Sequence, residues 1–222
     1  METDPKAAPS EPPEPPDVAD RAWQREYFLR RRLREARIPR RFLTKTFENF
    51  KKNDALRRRL VEHFQRYVQS FNFEKKFPPG ILMIGPVGCG KSHLAAAILR
   101  EIIAKGYTGL YYNSPDLLRD IRSTFNLENG RTEDELIEDL TAVDLFVLDD
   151  LGAEKVSDFV LDRFYLVVNQ RYEVCKPMVV TTNLMEEELR GRLGDRIVSR
   201  FLEMCDVVDA FPQEDYRRRH LR

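Results

Sequence analysis

Along the chain, short apolar runs alternate with longer amphipathic stretches, in which hydrophobic and polar positions are mixed. The apolar runs are four or five residues long, which is typical of strands buried on both faces. They lie at 80–84, 109–113, 145–148, 178–182 and 205–209. The stretches between them have apolar residues three or four positions apart, which predicts helices covering both faces of a parallel sheet. We therefore expect a doubly wound α/β fold with three layers.

Helix signals divide the remaining chain into amphipathic segments. The longer predicted helices cover 20–36, 54–71, 93–105, 114–125, 132–140 and 158–173, and shorter ones start at 185 and 195. Ser114 is predicted to cap its helix, with Pro115 at the first helical position. Thr132 and Glu135 have the spacing of a capping box.

The first forty residues differ in composition from the rest. Residues 1–20 contain six of the 13 prolines and almost no large apolar side chains, so we expect a disordered tail over 1–18. Residues 21–41 carry nine arginines and two glutamates, which predicts a basic helix and linker over 19–44. That segment either docks a partner or is an ordinary solvated face. The folded domain is expected to occupy 45–222.

Charge and cysteine content restrict the classes of function. The formal net charge of the 222 residues is zero, so the protein as a whole has no excess positive charge that would attract nucleic acid. Cys89, Cys175 and Cys205 are far apart and form no C-x-x-C pair, which fits a reducing compartment and predicts no zinc site. With no signal-peptide pattern and no membrane-length apolar run, we expect a cytoplasmic protein.

One octet matches the phosphate-binding loop pattern G-x-x-x-x-G-K-[ST] at every fixed position. Its residues are Gly85, Pro86, Val87, Gly88, Cys89, Gly90, Lys91 and Ser92. The octet lies between a predicted strand and a predicted helix, whose N-terminus favours bound phosphate. Backbone N–H groups would surround the phosphates, Lys91 would meet the β- and γ-phosphates, and Ser92 would bind Mg²⁺. The alternative is a glycine-rich turn before an ordinary helix.

Two carboxylates follow the apolar run at 145–148. Asp149 stands where an acid holds magnesium beside a phosphate loop, directly or through water. Asp150 is next to it and could orient or deprotonate an attacking water. Taken alone, two adjacent acids after a strand also form plain turns.

Two further polar residues are candidates for the same site. Asn183 ends the run at 178–182, where an amide could bind a γ-phosphate or the attacking water, although it could also cap the next helix. Arg200 lies in a charged helix and could reach the nucleotide of a neighbouring subunit, although it could also be a surface arginine.

Several other segments occur in a fixed order around these motifs. They are 38–42 (IPRRF), 46–50 (TFENF), 143–152 (VDLFVLDDLG), 169–172 (NQRY), 181–184 (TTNL), 194–200 (GDRIVSR) and 215–217 (DYR). With them the chain, from about Ile38 onward, resembles the replicative helicase loaders of the DnaC/DnaI type. It is also similar to the related IstB transposition helpers, and both groups are AAA+ ATPases. The phosphate loop is common to many nucleotide-binding proteins, whereas the ordered combination is much more specific.

The resemblance implies a role for each candidate residue. Lys91 and Ser92 would form Walker A, and Asp149 and Asp150 Walker B. The roles beyond these motifs are sensor 1 for Asn183, an arginine finger acting in trans for Arg200, and sensor 2 in its own subunit for Arg217. ATP with Mg²⁺ would be the ligand. The implied fold is a P-loop NTPase with sheet order 5-1-4-3-2, a short helical N-terminal extension and little or no C-terminal lid.

The resemblance also implies a DNA contact and a partner. The family's extra helical insertion matches 114–140, with Phe125 at its tip, and Ser157 and Phe159 follow Walker B. Such aromatic rings can stack on bases of single-stranded DNA, but they can equally pack helices together.

Helicase loading onto single-stranded DNA, with self-association through Arg200, is the function that the resemblance favours. An IstB-like helper of a transposase is the alternative on the same fold. A small-molecule kinase would need lid arginines that we do not find, and a GTPase would need an N-K-x-D motif, which is absent. Asp150 stands where many AAA+ proteins have Glu. A further alternative is therefore an interaction module that is gated by nucleotide binding and has negligible turnover.

Overall fold

The fold is a five-stranded parallel sheet. The computed structural model of the chain describes residues 21–73, 77–125, 130–152 and 157–213, so the predicted tail over 1–18 and Arg217 lie outside the described residues. The strands are β1 (Gly80–Ile84), β2 (Gly109–Asn113), β3 (Leu145–Leu151), β4 (Met178–Thr182) and β5 (Cys205–Val208). Their order is β2-β3-β4-β1-β5 with all pairs parallel, which confirms the predicted order 5-1-4-3-2.

Helices cover both faces of this sheet. They are α1 (Arg21–Glu35), α2 (Ala55–Ser70), α3 (Lys91–Ala104), α4 (Ser114–Ser123), α5 (Glu133–Ala142), α6 (Asp158–Glu173), α7 (Glu186–Leu193) and α8 (Asp195–Met204). Helices α1 to α3 share one core with one face of the sheet, and α4 to α8 share a second core with the other face. Within the described segments, no helix is long and apolar enough to span a bilayer.

Strand β1 explains why the apolar runs are continuous rather than alternating. Ile81 and Met83 belong to the first core, whereas Leu82 and Ile84 belong to the second. Successive side chains in a strand point to opposite faces, so a strand covered on both sides must be apolar at every position. This arrangement leaves the strand ends as the places where polar side chains reach solvent.

One predicted helix start is confirmed and another is wrong. Thr132 Oγ1 accepts a hydrogen bond from Glu135 N at 3.2 Å, and the Glu135 carboxylate accepts one from Thr132 N at 2.8 Å, which completes the capping box. The cap of α4 is Asn113, not Ser114. Asn113 has the extended backbone of a capping residue, and its Oδ1 accepts from Asp116 N at 2.8 Å. Ser114 is therefore the first helical residue.

Strand β3 extends further than the predicted run at 145–148. Leu148 pairs with Val180, but the next pair is Leu151 with Thr182, so the strand contains a β-bulge. The bulge contains Asp150, whose φ of 59° lies in the left-handed region. Bulges of this kind redirect side chains beside active sites.

The end of α1 packs on the body of the domain. Leu33, Ala36 and Ile38 are buried in the same core as α2 and α3. The carbonyl of Ala36 accepts a hydrogen bond from Tyr111 N at 2.8 Å, along the outer edge of β2. Phe28, further upstream on α1, is exposed. The basic segment thus has a packed end and a solvent-facing part.

Candidate nucleotide-binding site

A cavity of about 950 Å³ opens at the carboxyl ends of β1, β3 and β4. Most predicted site residues line it: Val87, Gly88, Cys89, Gly90, Lys91, Ser92, Asp149, Asp150 and Asn183. The segment after α1 also lines the cavity, with Arg41, Phe42 and Phe50. Parallel α/β sheets bind ligands at this edge, and the volume is in the range of small-molecule sites.

The phosphate loop forms a cradle that requires glycine. Gly90 has a φ of +109°, and a Cβ there would lie 2.6 Å from the Phe50 ring. Helix α3 begins directly after it, at Lys91, so the free N–H groups of its first turn belong to the cradle. Such a cradle, together with a lysine and a helix N-terminus, fits a chain of phosphates.

Lys91 is largely buried and bound to the loop itself. Its Nζ donates hydrogen bonds to the carbonyl of Gly85 at 2.6 Å and to that of Pro86 at 2.9 Å. Gly85 is in turn covered by Phe211, since a Cβ on Gly85 would lie 2.8 Å from the Phe211 Cβ. Gly85 and Pro86 therefore bind the Lys91 side chain through their carbonyl groups and do not line the cavity.

Burial raises the pKa of the neighbouring Cys89 thiol, so the uncharged form of this thiol is favoured.

Asp149 is fixed by two hydroxyl groups. The residue is 2% exposed, and its carboxylate accepts hydrogen bonds from Tyr111 OH and from Thr181 Oγ1, both at 2.6 Å. Burial, followed by the charge of Asp149, raises the pKa of Tyr111, so the phenol keeps its proton and remains a donor. The carboxylate is thus held in a single orientation at the base of the cavity.

Asp150 and Asn183 are exposed at the same edge. The backbone N–H of Asp150 donates to Thr181 Oγ1 at 2.9 Å, so one threonine hydroxyl connects both acids. Thr182 Oγ1 donates to the Leu151 carbonyl at 2.8 Å and ties β4 to β3 just before Asn183. The side chains of Asp150 and Asn183 therefore face the cavity from two strands held together by hydroxyl groups.

Several residues in and around the site were not predicted, and three of them have contacts or positions that suggest a role. Tyr111 and Thr181 support Asp149, and Arg192 of α7 lines the cavity. A tyrosine and a threonine on the strands flanking an acidic strand end are a usable signal once the strand order is known. Arg192 lies in a short charged helix, where no motif distinguishes it from a surface arginine.

The donor set fits Mg²⁺ only when phosphate oxygens complete it. Ser92 and Asp149 supply a hydroxyl and a carboxylate, the oxygen ligands that magnesium prefers. Across the described residues, no group of three or more His, Cys, Asp or Glu side chains is arranged to hold a metal. Ser92 and Asp149 provide only two of the oxygen ligands of an octahedral magnesium ion, so phosphate oxygens and water would complete the set.

Arg200 lies away from this cavity, on the surface between α8 and α6. Its Nε donates to Asn169 Oδ1 at 2.8 Å and its Nη2 to Tyr165 OH at 3.0 Å. The guanidinium also stacks 4.8 Å from the centre of the Tyr165 ring. Arg200 is not among the residues that line the cavity of its own chain.

The residues predicted to contact DNA form one cluster outside the cavity. The rings of Phe125 and Phe159 are 5.7 Å apart and meet edge to face, and Phe125 is 56% exposed. The guanidinium groups of Arg122 and Arg163 lie 5.5 and 5.1 Å from the centre of the Phe159 ring. Ser157 caps α6 by accepting a hydrogen bond from Val160 N. The two rings pack against each other, yet Phe125 keeps a free face.

Comparison with known proteins gives consistent matches. The family model described as "IstB-like ATP binding protein" matches residues 18–222. The replicative helicase loader DnaC of Escherichia coli K12 is 31% identical over 162 residues, which is 73% of this chain and 62% of the relative. The chain thus matches less than two thirds of that protein's length.

Solved structures show the same architecture. The crystal structure of the DnaC helicase loader aligns with a TM-score of 0.69 at 26% identity, covering 77% of this chain and 99% of the other. The replication initiator DnaA bound to AMPPCP and single-stranded DNA aligns with a TM-score of 0.62 at 25% identity, covering 75% of this chain and 50% of that one. Both likenesses show the fold that this chain shares with these proteins.

Proposed function

Because the chain belongs to the IstB-like ATP binding protein family, we propose that it uses ATP to load a replicative helicase onto single-stranded DNA. The proposal rests on one observation: Lys91, Asp149, Asp150 and Asn183 line a single cavity at the carboxyl ends of three neighbouring strands. The relative that is named replicative helicase loader DnaC supports the same task.

Each polar residue of the cavity is assigned its own role in ATP hydrolysis. Lys91 neutralises phosphate charge, and Asp150, which is exposed and redirected by the bulge, orients or deprotonates the attacking water. Asn183 binds that water or the terminal phosphate from β4. When bound, Mg²⁺ supplies positive charge against the phosphates, and Ser92 and Asp149 would hold it. The burial of Asp149 favours contact through water.

Two arginines complete the proposal. Arg200 acts on the nucleotide of the neighbouring subunit, in keeping with its position outside its own cavity. Arg217 acts on the nucleotide of its own subunit. Its support is the position of Phe211, a few residues earlier in the chain, which is buried against Gly85 of the phosphate loop.

Single-stranded DNA is proposed to bind at Phe125, Ser157 and Phe159. The exposed face of Phe125 offers a stacking surface, and the nearby guanidinium groups of Arg122 and Arg163 offer charge for the backbone. Stacking on an aromatic face does not depend on base identity, so binding should tolerate any sequence.

Helicase docking is assigned to the solvent-facing part of α1. Phe28 and the exposed Arg31 and Arg34 suit an acidic groove, with the ring as anchor and the arginines as steering charges. The triple variant Phe28→Ala, Arg31→Glu and Arg34→Glu should lose partner capture while it keeps its ATPase rate. Unchanged capture would move the docking site onto the body of the domain.

The experiment that tests the main proposal is capture from the native host in ATP. The parent protein should retain a replicative helicase, and Lys91→Ala should retain much less of it. Recovery of a transposase in place of the helicase would instead support the alternative, an ATP-dependent helper of transposition, which the family name favours. Recovery of neither partner by the folded, ATP-binding parent would contradict both assignments.

Turnover requires its own measurement. We expect ATP hydrolysis that changes when single-stranded DNA is added. Binding of ATP without measurable hydrolysis in either condition would identify a nucleotide-gated interaction module, consistent with the short side chain of Asp150.

A further inference from the structure

Arg192 is a cation of the cavity that none of the sequence motifs includes. It lies in the last turn of α7, and its Nη1 donates a hydrogen bond to the Gly152 carbonyl at 2.8 Å. Gly152 comes two residues after Asp150, just beyond the bulge of β3. The guanidinium therefore lies on the side of the cavity where the acidic strand end and Asn183 meet.

Its contacts differ from those of the neighbouring arginines. Arg190, two residues earlier, forms ion pairs with both Glu186 and Asp195. Arg192 forms no ion pair with any carboxylate of the described residues, and its acceptor at Gly152 is a neutral carbonyl. A guanidinium group has five N–H donors, so most of its capacity to bind an anion is available.

Different segments contribute different chemistry to the cavity. The segment after α1 contributes Arg41, Phe42 and Phe50, and Phe50 lies against Gly90 of the phosphate loop. The α7 side holds Asp150 and Asn183, which are the residues assigned to the terminal phosphate and the attacking water. A guanidinium that has no ion pair among the described residues is suited at that side to phosphate oxygens, for which arginine provides two parallel donors.

We propose that Arg192 is a further nucleotide-contacting residue, which binds the terminal phosphate of ATP in its own subunit and thereby distinguishes ATP from ADP. The inference rests on the proposed ATP site. Arg192 would exchange the Gly152 carbonyl for a phosphate oxygen, so occupancy by ATP would remove this one hydrogen bond, which lies two residues after Asp150. This gives the subunit a cis contact that is separate from Arg200, whose guanidinium is held by α6.

The test compares Arg192→Gln with Arg190→Gln, a substitution on the same helix that removes a surface ion pair. Affinity is measured by fluorescence or calorimetry for a non-hydrolysable ATP analogue and for ADP. Arg192→Gln should bind the analogue about tenfold more weakly or worse, because a charged hydrogen bond to phosphate is lost. Its ADP affinity should stay within about twofold of the parent value. Arg190→Gln should change neither affinity, and Arg192→Lys should be intermediate.

The outcomes separate this inference from the function on which it rests. Equal weakening for both nucleotides, or none for either, in folded Arg192→Gln overturns the role of Arg192. If Lys91→Ala abolishes binding in the same assay, the ATP site itself stands. Failure of the parent to bind the analogue overturns the site and the inference together. If Arg192→Gln does not fold, as judged by thermal melting, the same comparison on Arg192→Lys decides.

Discussion

The nucleotide cavity and the surface between α6 and α8 position their charged groups in different ways. In the cavity, Lys91 is the first residue of α3 and Asp149 lies near the end of β3, and atoms of adjacent strands and loops hold both at 2.6 to 2.9 Å. On the α6–α8 surface, Arg200 lies on a helix face and is held by the side chains of Asn169 and Tyr165.

The difference separates what one subunit can do alone from what needs a second. Groups built on the sheet edge converge on one cavity within the chain. Arg200 contributes nothing to that cavity, so a role in hydrolysis requires a neighbouring copy. Helices α7 and α8 illustrate the point, because Arg192 on the first lines the cavity and Arg200 on the second does not.

The largest effect is expected from Lys91→Ala, which tests the cavity side of the comparison. ATP hydrolysis should fall to the buffer background, because the charge that meets the phosphates is lost. Steady-state hydrolysis and ATP binding are the measurements. Hydrolysis at the parent rate would mean that the octet at 85–92 is not a phosphate-binding loop.

Arg200→Ala tests the other side and should reduce hydrolysis by about 10³-fold, as is typical of arginine fingers. ATP affinity should be unchanged, because Arg200 does not line the cavity of its own chain. Arg200→Lys is the control, since it keeps the charge and loses the planar fork that bonds Asn169 and Tyr165.

Mixing the two inactive variants makes the comparison sharper. Lys91→Ala still carries Arg200, and Arg200→Ala still carries a working cavity, so mixed assemblies should recover part of the activity. Absence of recovery at every mixing ratio would argue that Arg200 does not act across a subunit boundary.

The sequence predicted the sheet edge well because local pattern and function coincide there. The bounds of α6 and β4 match the predicted ones, and the segments that follow the apolar runs of β1, β3 and β4 supply polar residues to the cavity as expected. The bulge at Asp150 was missed, because its cause is pairing between distant strands rather than local composition. Asn113 was missed as a cap because Ser114, an equally good capping residue, is its neighbour.

Individual side-chain contacts between residues distant in sequence were not predicted, although the strand order was. The hydroxyl of Tyr111 reaches Asp149 across 38 positions, and Arg192 reaches Gly152 across 40. The fully buried Arg171 is another case, since its guanidinium donates to the carbonyls of Leu140 and Pro177. A lone arginine in a helix gives no sign that it binds backbone carbonyls in the core.

A smaller effect is expected at the aromatic cluster beside α6. Phe125→Ala and Phe159→Ala should each weaken binding to single-stranded DNA by about 5- to 150-fold, the range that corresponds to about 1–3 kcal/mol per stacked base. ATP affinity should not change. Phe77→Ala is a matched control, because Phe77 is 55% exposed and Phe125 56%. Equal binding by the parent and the double variant would leave both rings as packing residues.

The smallest effect is expected from Tyr111→Phe, which tests how tightly the cavity holds Asp149. The variant removes one donor from a carboxylate that is 2% exposed, so unfolding free energy should fall by about 1.5–3 kcal/mol. Tyr112→Phe is the control, because its hydroxyl donates to the better exposed Asp120 at 3.2 Å and should cost less than about 1 kcal/mol. Denaturant unfolding measures both, and hydrolysis should fall only a few-fold because Thr181 still orients Asp149. Equal losses of unfolding free energy in Tyr111→Phe and Tyr112→Phe would show that the position of Asp149 does not depend on the Tyr111 hydroxyl. The cavity would then be less rigid than its hydrogen bonds imply.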